Sequence, residues 1–143
     1  MYDVLDICYY IITYSNDKGY GVSNLKLQKL LYFIQAWFLM NTHKPCFKEK
    51  IEAWNFGSVV PEAYKKFSQY ACMDIPLNHD GWELDFMISE SDKHLINQVI
   101  DKFANYTATD LLNLICHQQP WLDAYYGDTN IITNNMLLAY FAS

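Results

Sequence analysis

The chain has 143 residues, a hydrophobic share of 52% and a net charge of −6. That length buries roughly 70% of the unfolded surface, enough for a self-sufficient core, and one domain over residues 1–143 is expected. The ten basic residues are all lysines, none beyond Lys102; without arginine or a clustered basic patch, no nucleic-acid partner is expected.

The start, MYDVLDICYY, carries Asp3 and Asp6 and no basic segment, so it does not read as a signal peptide. No apolar run reaches the ~18 residues of a membrane span. A cytoplasmic protein is expected, with no membrane partner. Its four cysteines, Cys8, Cys46, Cys72 and Cys116, are then reduced thiols lying in or beside apolar segments.

Val4, Leu5, Ile7, Cys8, Ile11 and Ile12 predict a first helix ending near Ser15. Asn16, Asp17, Gly19 and Gly21 break it. Ser23 then caps a central helix that runs to about Asn41, where Pro45 enforces the stop. Leu27, Leu30, Leu31, Ile34, Trp37 and Phe38 form one stripe. In the second half Tyr32, Phe33, Ala36, Leu39 and Met40 make the opposite face apolar too. A helix apolar around most of its circumference must be covered on several sides. The first helix, the Trp54 segment and the helices after residue 90 are the expected cover. Lys26, Gln28, Lys29 and Gln35 lie off the stripe.

From Phe47 to Gly57, Ile51, Ala53 and Asn55 alternate with Glu52, Trp54 and Phe56, which predicts a short strand covered on both sides. Gly57 and Ser58 read as a turn, and Pro61 with Glu62 opens a helix whose apolar face is Tyr64, Phe67 and Tyr70 or Ala71. Cys72 to Gly81 reads as loop. Trp82, Leu84, Phe86 and Ile88 alternate with polar residues as a second strand, whose natural partner is the first. Ser89 or Ser91 caps the next helix, with Leu95, Ile96, Val99, Ile100 and Phe103 inside. Thr107 and Asp110 form a capping box ahead of Leu111, Leu112, Leu114 and Ile115. One more turn spans Trp121 to Tyr126, Gly127 to Asn130 is loop, and Thr133 caps a last helix with Met136, Leu137 and Tyr140. The fold class is mainly α: a compact helical domain around a buried central helix, with a small two-stranded β element.

The chemical inventory is thin. His43 and Cys46 have ligand spacing, but a closed zinc site needs a second arm. Cys116 and His117 are adjacent, and neighbours on a helix point about 100° apart, so direct activation of the thiol is not expected. A Cys–His nucleophile stays open only if His79 or His94 approaches a cysteine in space. The five glycines form no phosphate loop. No cofactor, no metal and no catalytic residue are assigned. Trp54, Phe56, Trp121, Tyr125 and Tyr126 are the stronger signal, because binding surfaces concentrate aromatics.

Four stretches taken together, SNLKLQKLLYFIQAWFL, KPCF, IEAWNFGSVVPEAYKKF and CHQQPW, resemble the Panacea domain, also described as the phage-associated GepA-like or SocA-like domain. That family's pattern is a SNLKLQKLLYYAQAW helix, a GKPLF turn, an AWxYGPVVPEVY segment and a late THxxxPW. The order matches from about residue 4 to residue 141. Ser58 stands where proline is usual, and Asn55 where a basic residue is common. The resemblance implies an antitoxin that binds a cognate protein toxin. The alternative is a proteolytic adaptor with an ATP-dependent protease as second partner; oligomeric state is left open. The binding surface implied lies near Trp54 to Tyr64 and around Trp121. Its candidate residues are Trp54, Asn55, Phe56, Ser58, Tyr64, His117, Trp121 and Tyr125, with Lys26, Lys29 and Gln35 on the central helix.

Overall fold

The structure, a computed structural model, describes residues 1–77 and 87–143. Among these it has seven α-helices and one three-stranded antiparallel sheet. The fold is mainly α. The helices are α1 (Val4–Asp17), α2 (Asn24–Thr42), α3 (Pro61–Lys66), α4 (Glu90–Lys102), α5 (Ala108–Ile115), α6 (Gln119–Tyr125) and α7 (Asn134–Phe141). The strands are β1 (Ile51–Trp54), β2 (Gly57–Val59) and β3 (Ile131–Ile132), in the order β2-β1-β3.

Capping chemistry starts each long helix where the sequence places it. Ser23 Oγ accepts from Lys26 N at the head of α2. Ser89, rather than Ser91, caps α4. The Thr107–Asp110 box is closed in both directions, at 2.9 and 3.0 Å. At the far end of α2, His43 takes the left-handed conformation (φ 60°) and its N–H returns to Leu39 O, a closure usually left to glycine.

Helix α2 is the core. From Asn24 to Ala36 every residue except Leu25 is buried. Helices α3, α4, α5 and α7 and strand β2 pack around it, whereas α1, expected as a direct cover, has α3 and α4 as its principal neighbours. One contiguous cluster runs from Val4 and Ile7 through Leu27, Leu31 and Ile34 to Ile100, Ile115 and Leu137.

Covering α2 on all sides forces its polar residues inward. Gln28 donates to Asn24 Oδ1 and accepts from Val60 N at 2.9 Å. Gln35 Oε1 accepts from Cys46 N and Phe47 N, and its Nε2 donates to Phe47 O at 2.9 Å. Two amides thus fix the chain on either side of β1. Trp37 behaves differently from the expectation of a core residue. It is 39% exposed, lining an open apolar groove between α2, α4 and α7, and its indole N–H donates to Gln98 Oε1 at 2.8 Å. Helical spacing gives a residue's angle on the helix but not how completely the neighbouring elements cover it.

The sheet also departs from expectation. The turn is Asn55–Phe56, two residues before the Gly57–Ser58 expected, and Gly57 and Ser58 belong to β2, paired as Trp54↔Gly57 and Ala53↔Ser58. Gly57 has φ +112°, which permits the strand to leave the turn at once. The second expected strand is named by Trp82, Leu84 and Phe86, which lie outside the described residues; Ile88 is a buried coil residue. The partners of β1 are β2 and β3 (Ile51↔Ile132, Glu52↔Ile131), and β3 is too short to show any alternation.

Replacing Gln35 with Leu orphans two N–H donors and a carbonyl, and is expected to cost about 2–4 kcal/mol in urea unfolding. Trp37→Ala is expected to cost about 1 kcal/mol, against the ~3–5 of a fully buried aromatic. Equal losses for the two variants would contradict this assignment of the α2 faces.

Candidate functional site

The β1–β2 hairpin lies against α2 through β2 and carries three aromatic side chains to one place with α3. Trp54 and Phe56 flank the turn, and Tyr64 comes from the first turns of α3. Trp54 meets Phe56 and Tyr64 edge-on, each at 5.4 Å between centroids, and Phe56 to Tyr64 is 5.7 Å. All three are half-buried, and Asn55 between the first two is exposed. Trp54 Nε1 donates to Glu52 Oε1, which holds the indole over the strand.

A second aromatic triad abuts the first. Pro120 in the first turn of α6 starts the helix that carries Trp121 and Tyr125. Trp121 is buried, and its Nε1 donates to Trp54 O at 3.1 Å. Tyr125 stacks on Trp121 at 4.4 Å and 13°, and Tyr126 meets Tyr125 edge-on at 5.0 Å. Tyr126 is 77% exposed. The Trp121–Trp54 hydrogen bond therefore ties together two triads that are distant in sequence.

The other sequence candidates divide. Ser58 is buried and its Oγ has no hydrogen-bond partner among the described residues. His117 is exposed just after α5, and its Nδ1 is 2.6 Å from Asn113 O. Gln35 is 2% exposed and fully engaged with the loop at Cys46 and Phe47. Lys26 is 7% exposed and donates to Ala104 O. Lys29 is 1% exposed. The three α2 residues, expected off the apolar stripe and so available for contact, are buried because α2 has no solvent side along most of its length.

Lys29 nevertheless reaches the aromatic surface from behind. Its Nζ lies 5.9 Å from the Phe56 ring centroid and 3.4 Å from Leu25 O. Burial holds its ammonium down to about 8. Tyr126, part of the aromatic signal in the sequence, joins the surface through Trp121 and Tyr125, and Leu112 lies beside Gly57. Nothing in the sequence marks Leu112 as part of this neighbourhood.

Two readings of the chemistry are corrected or sharpened by geometry. Cys116 is the C-cap of α5, not an interior helix residue, so its Sγ does come within 3.6 Å of His117 Nδ1. That nitrogen, however, sits 2.6 Å from a carbonyl oxygen, which requires it to carry the proton and donate. It has no lone pair with which to take a proton from the thiol. His94 Nε2 lies beside Gln98, and His79 is outside the described residues. Cys46 is buried and burial pushes its thiol up, the opposite of what a thiolate ligand requires. Among the described residues no group of three or more His, Cys, Asp or Glu could hold a metal ion. Nor, among them, is any helix long and apolar enough to cross a membrane. A separate apolar groove of about 420 Å³ lies between α2, α4 and α7, lined by Phe33, Trp37, Val99, Phe103 and Phe141.

The Lys29 shift fixes the sign of a pH dependence. Its folded value of about 8 lies below the ~10.4 of unfolded lysine, so as pH rises the folded chain releases its proton first. Between about pH 8 and 10.4 the unfolded chain holds more protons, and stability should rise by about 2–3 kcal/mol. Tyr14, pushed up to about 12 by burial and by Asp101, acts in the opposite sense above its ordinary range. The quantity to measure is thus the difference between wild type and Lys29→Met in urea unfolding across pH 7–10.5. A difference independent of pH would show that Lys29 keeps an ordinary pKa.

Comparison with known proteins gives this surface a context. The family model for the antitoxin SocA-like, Panacea domain matches residues 27–122, which takes in α2 to the middle of α6. Antitoxin SocA of Caulobacter vibrioides (strain NA1000 / CB15N) is 49% identical over 47 residues, or 33% of this chain. The matched segment spans a quarter of that relative's own length. No solved structure matches the chain significantly. On the family match across two-thirds of its length, the chain belongs to the antitoxin SocA-like, Panacea domain family.

Proposed function

We propose that this chain is an antitoxin that neutralises a cognate protein toxin by binding it directly, inside the cell, as one domain. The observation that carries the reading is the Panacea-domain match over residues 27–122, which contains Trp54, Phe56, Tyr64 and Trp121. Neutralisation by binding needs no catalytic group. It needs a pre-organised surface with large side chains at its centre, since aromatic anchors provide much contact area at small entropic cost.

The docking surface in this reading is the joined aromatic triads. Trp54, Phe56, Tyr64 and Tyr125 are its anchors, with Asn55, His117 and Tyr126 around them. Trp121 supports it from inside and Ser58 lies in the strand beneath. Lys26 and Gln35 act through the fold rather than by touching the toxin. A stable complex needs about 800 Å² per partner, so the toxin extends past the triads onto the neighbouring helices.

The test is co-expression with the adjacent open reading frame, whose product should be toxic alone and harmless beside this chain. A neighbour that is harmless alone, or lethal in both cases, removes the reading. Toxin half-life should be unchanged or longer in the rescued cells; a shortened one would indicate an adaptor instead. The double variant Phe56→Ala/Tyr126→Ala is expected to lose rescue at least ~10-fold in binding while losing no more than ~2 kcal/mol of stability, because both rings are part-exposed.

A further inference from the structure

Lys29 is a buried cation with no counter-ion among the described residues. An ammonium has three donors. Its one acceptor among the described residues is Leu25 O, at a long 3.4 Å. No described carboxylate forms an ion pair with it, although the chain as a whole carries an excess of acidic groups. Burial pushes its titration down. Burying a charge without a partner is costly, and a group kept in that state requires an explanation.

The surroundings indicate where a partner would come from. A Cβ on Gly57 would lie 2.9 Å from Lys29 Cε and 3.2 Å from Nζ, so the hairpin glycine is what makes room for the lysine head. Leu112 closes the same space from α5. Phe56, half-buried in the Asn55–Phe56 turn, has its ring centroid 5.9 Å from the ammonium. The ammonium therefore lies directly behind one ring of the first aromatic triad.

We infer that the toxin supplies the missing counter-ion: one Asp or Glu side chain enters beside Phe56 and pairs with Lys29 Nζ. This rests on the antitoxin reading above. A net charge of −6 repels an acidic patch, so the partner surface is expected to be basic or neutral around this one carboxylate. The pair then acts as a specificity device, since a partner lacking the carboxylate leaves a deeply buried cation unpaired.

The experiment measures binding of the purified adjacent-frame protein to wild type and to Lys29→Met by calorimetry. Loss of the pair is expected to weaken binding about 30-fold or more, as for buried charge pairs at interfaces. The unfolding midpoint of free Lys29→Met should be equal or higher. Asp→Asn and Glu→Gln substitutions in the toxin should include one that weakens binding to wild type but not further to Lys29→Met. A readout needing no substitution is the Lys29 Nζ titration followed by nitrogen NMR. It should move up on complex formation if a carboxylate docks, and down if docking only deepens burial. Lys29→Met binding within about 2-fold of wild type, or a downward shift, overturns the inference alone. Failure of wild type to bind the neighbour removes the antitoxin reading itself, and the inference with it.

Discussion

Helix α2 is covered on nearly every side, so the side-chain amides it carries have to be satisfied within the protein. Burying an amide or an ammonium without a partner costs more than most single packing contacts return. The consequence is that α2 organises the backbone around it through side-chain amides as well as through apolar contact. Gln28 holds the chain at Val60, just after β2, and Gln35 holds it at Cys46 and Phe47, just before β1. Lys26 reaches across to Ala104, where α4 gives way to the turn before α5. Three connections that would otherwise be loose are tied to one rigid helix.

That tying is what makes a surface out of the β-hairpin. Strands of four and three residues have little stability of their own. Anchored at both ends by α2 amides, and bonded to Trp121 through the carbonyl of Trp54, the hairpin presents Trp54 and Phe56 in fixed positions. Tyr64 packs against them from α3, and Tyr125 extends the surface by stacking on Trp121. Pre-organisation of this kind reduces the ordering cost of binding. The same helix that rigidifies the surface also places Lys29 behind it, so scaffold and proposed contact share one element.

The cysteine and histidine chemistry shows how local geometry decides function. Cys116 and His117 are close enough to interact only because α5 ends between them. The same helix end supplies Asn113 O, which occupies the histidine nitrogen and prevents it from acting as a base. The Nδ1 proton is committed to that carbonyl, so this nitrogen does not take the proton of the neighbouring thiol.

Much of the fold is determined by sequence alone. Ser23, Ser89, Thr107 and Thr133 mark helix starts because a cap is a local interaction, completed within three residues. The all-round apolar character of α2 implies burial, and Pro61 and Pro120 open helices, again for local reasons. What the tertiary structure decided is different in kind. Lys26, Lys29 and Gln35 look like a solvent face in the periodic pattern, yet they are interior because neighbouring elements close over that face too. Trp37 looks like core, yet it is part-exposed because α4 covers it incompletely. The second and third strands are too short for periodicity to reveal, since their pairing is set by β1 and the α2 clamps. The union of Trp54 with Trp121 depends on a hydrogen bond between residues 67 positions apart. Local sequence fixes where elements begin and which groups are apolar; only packing determines which polar groups end up inside and which aromatics meet at the surface.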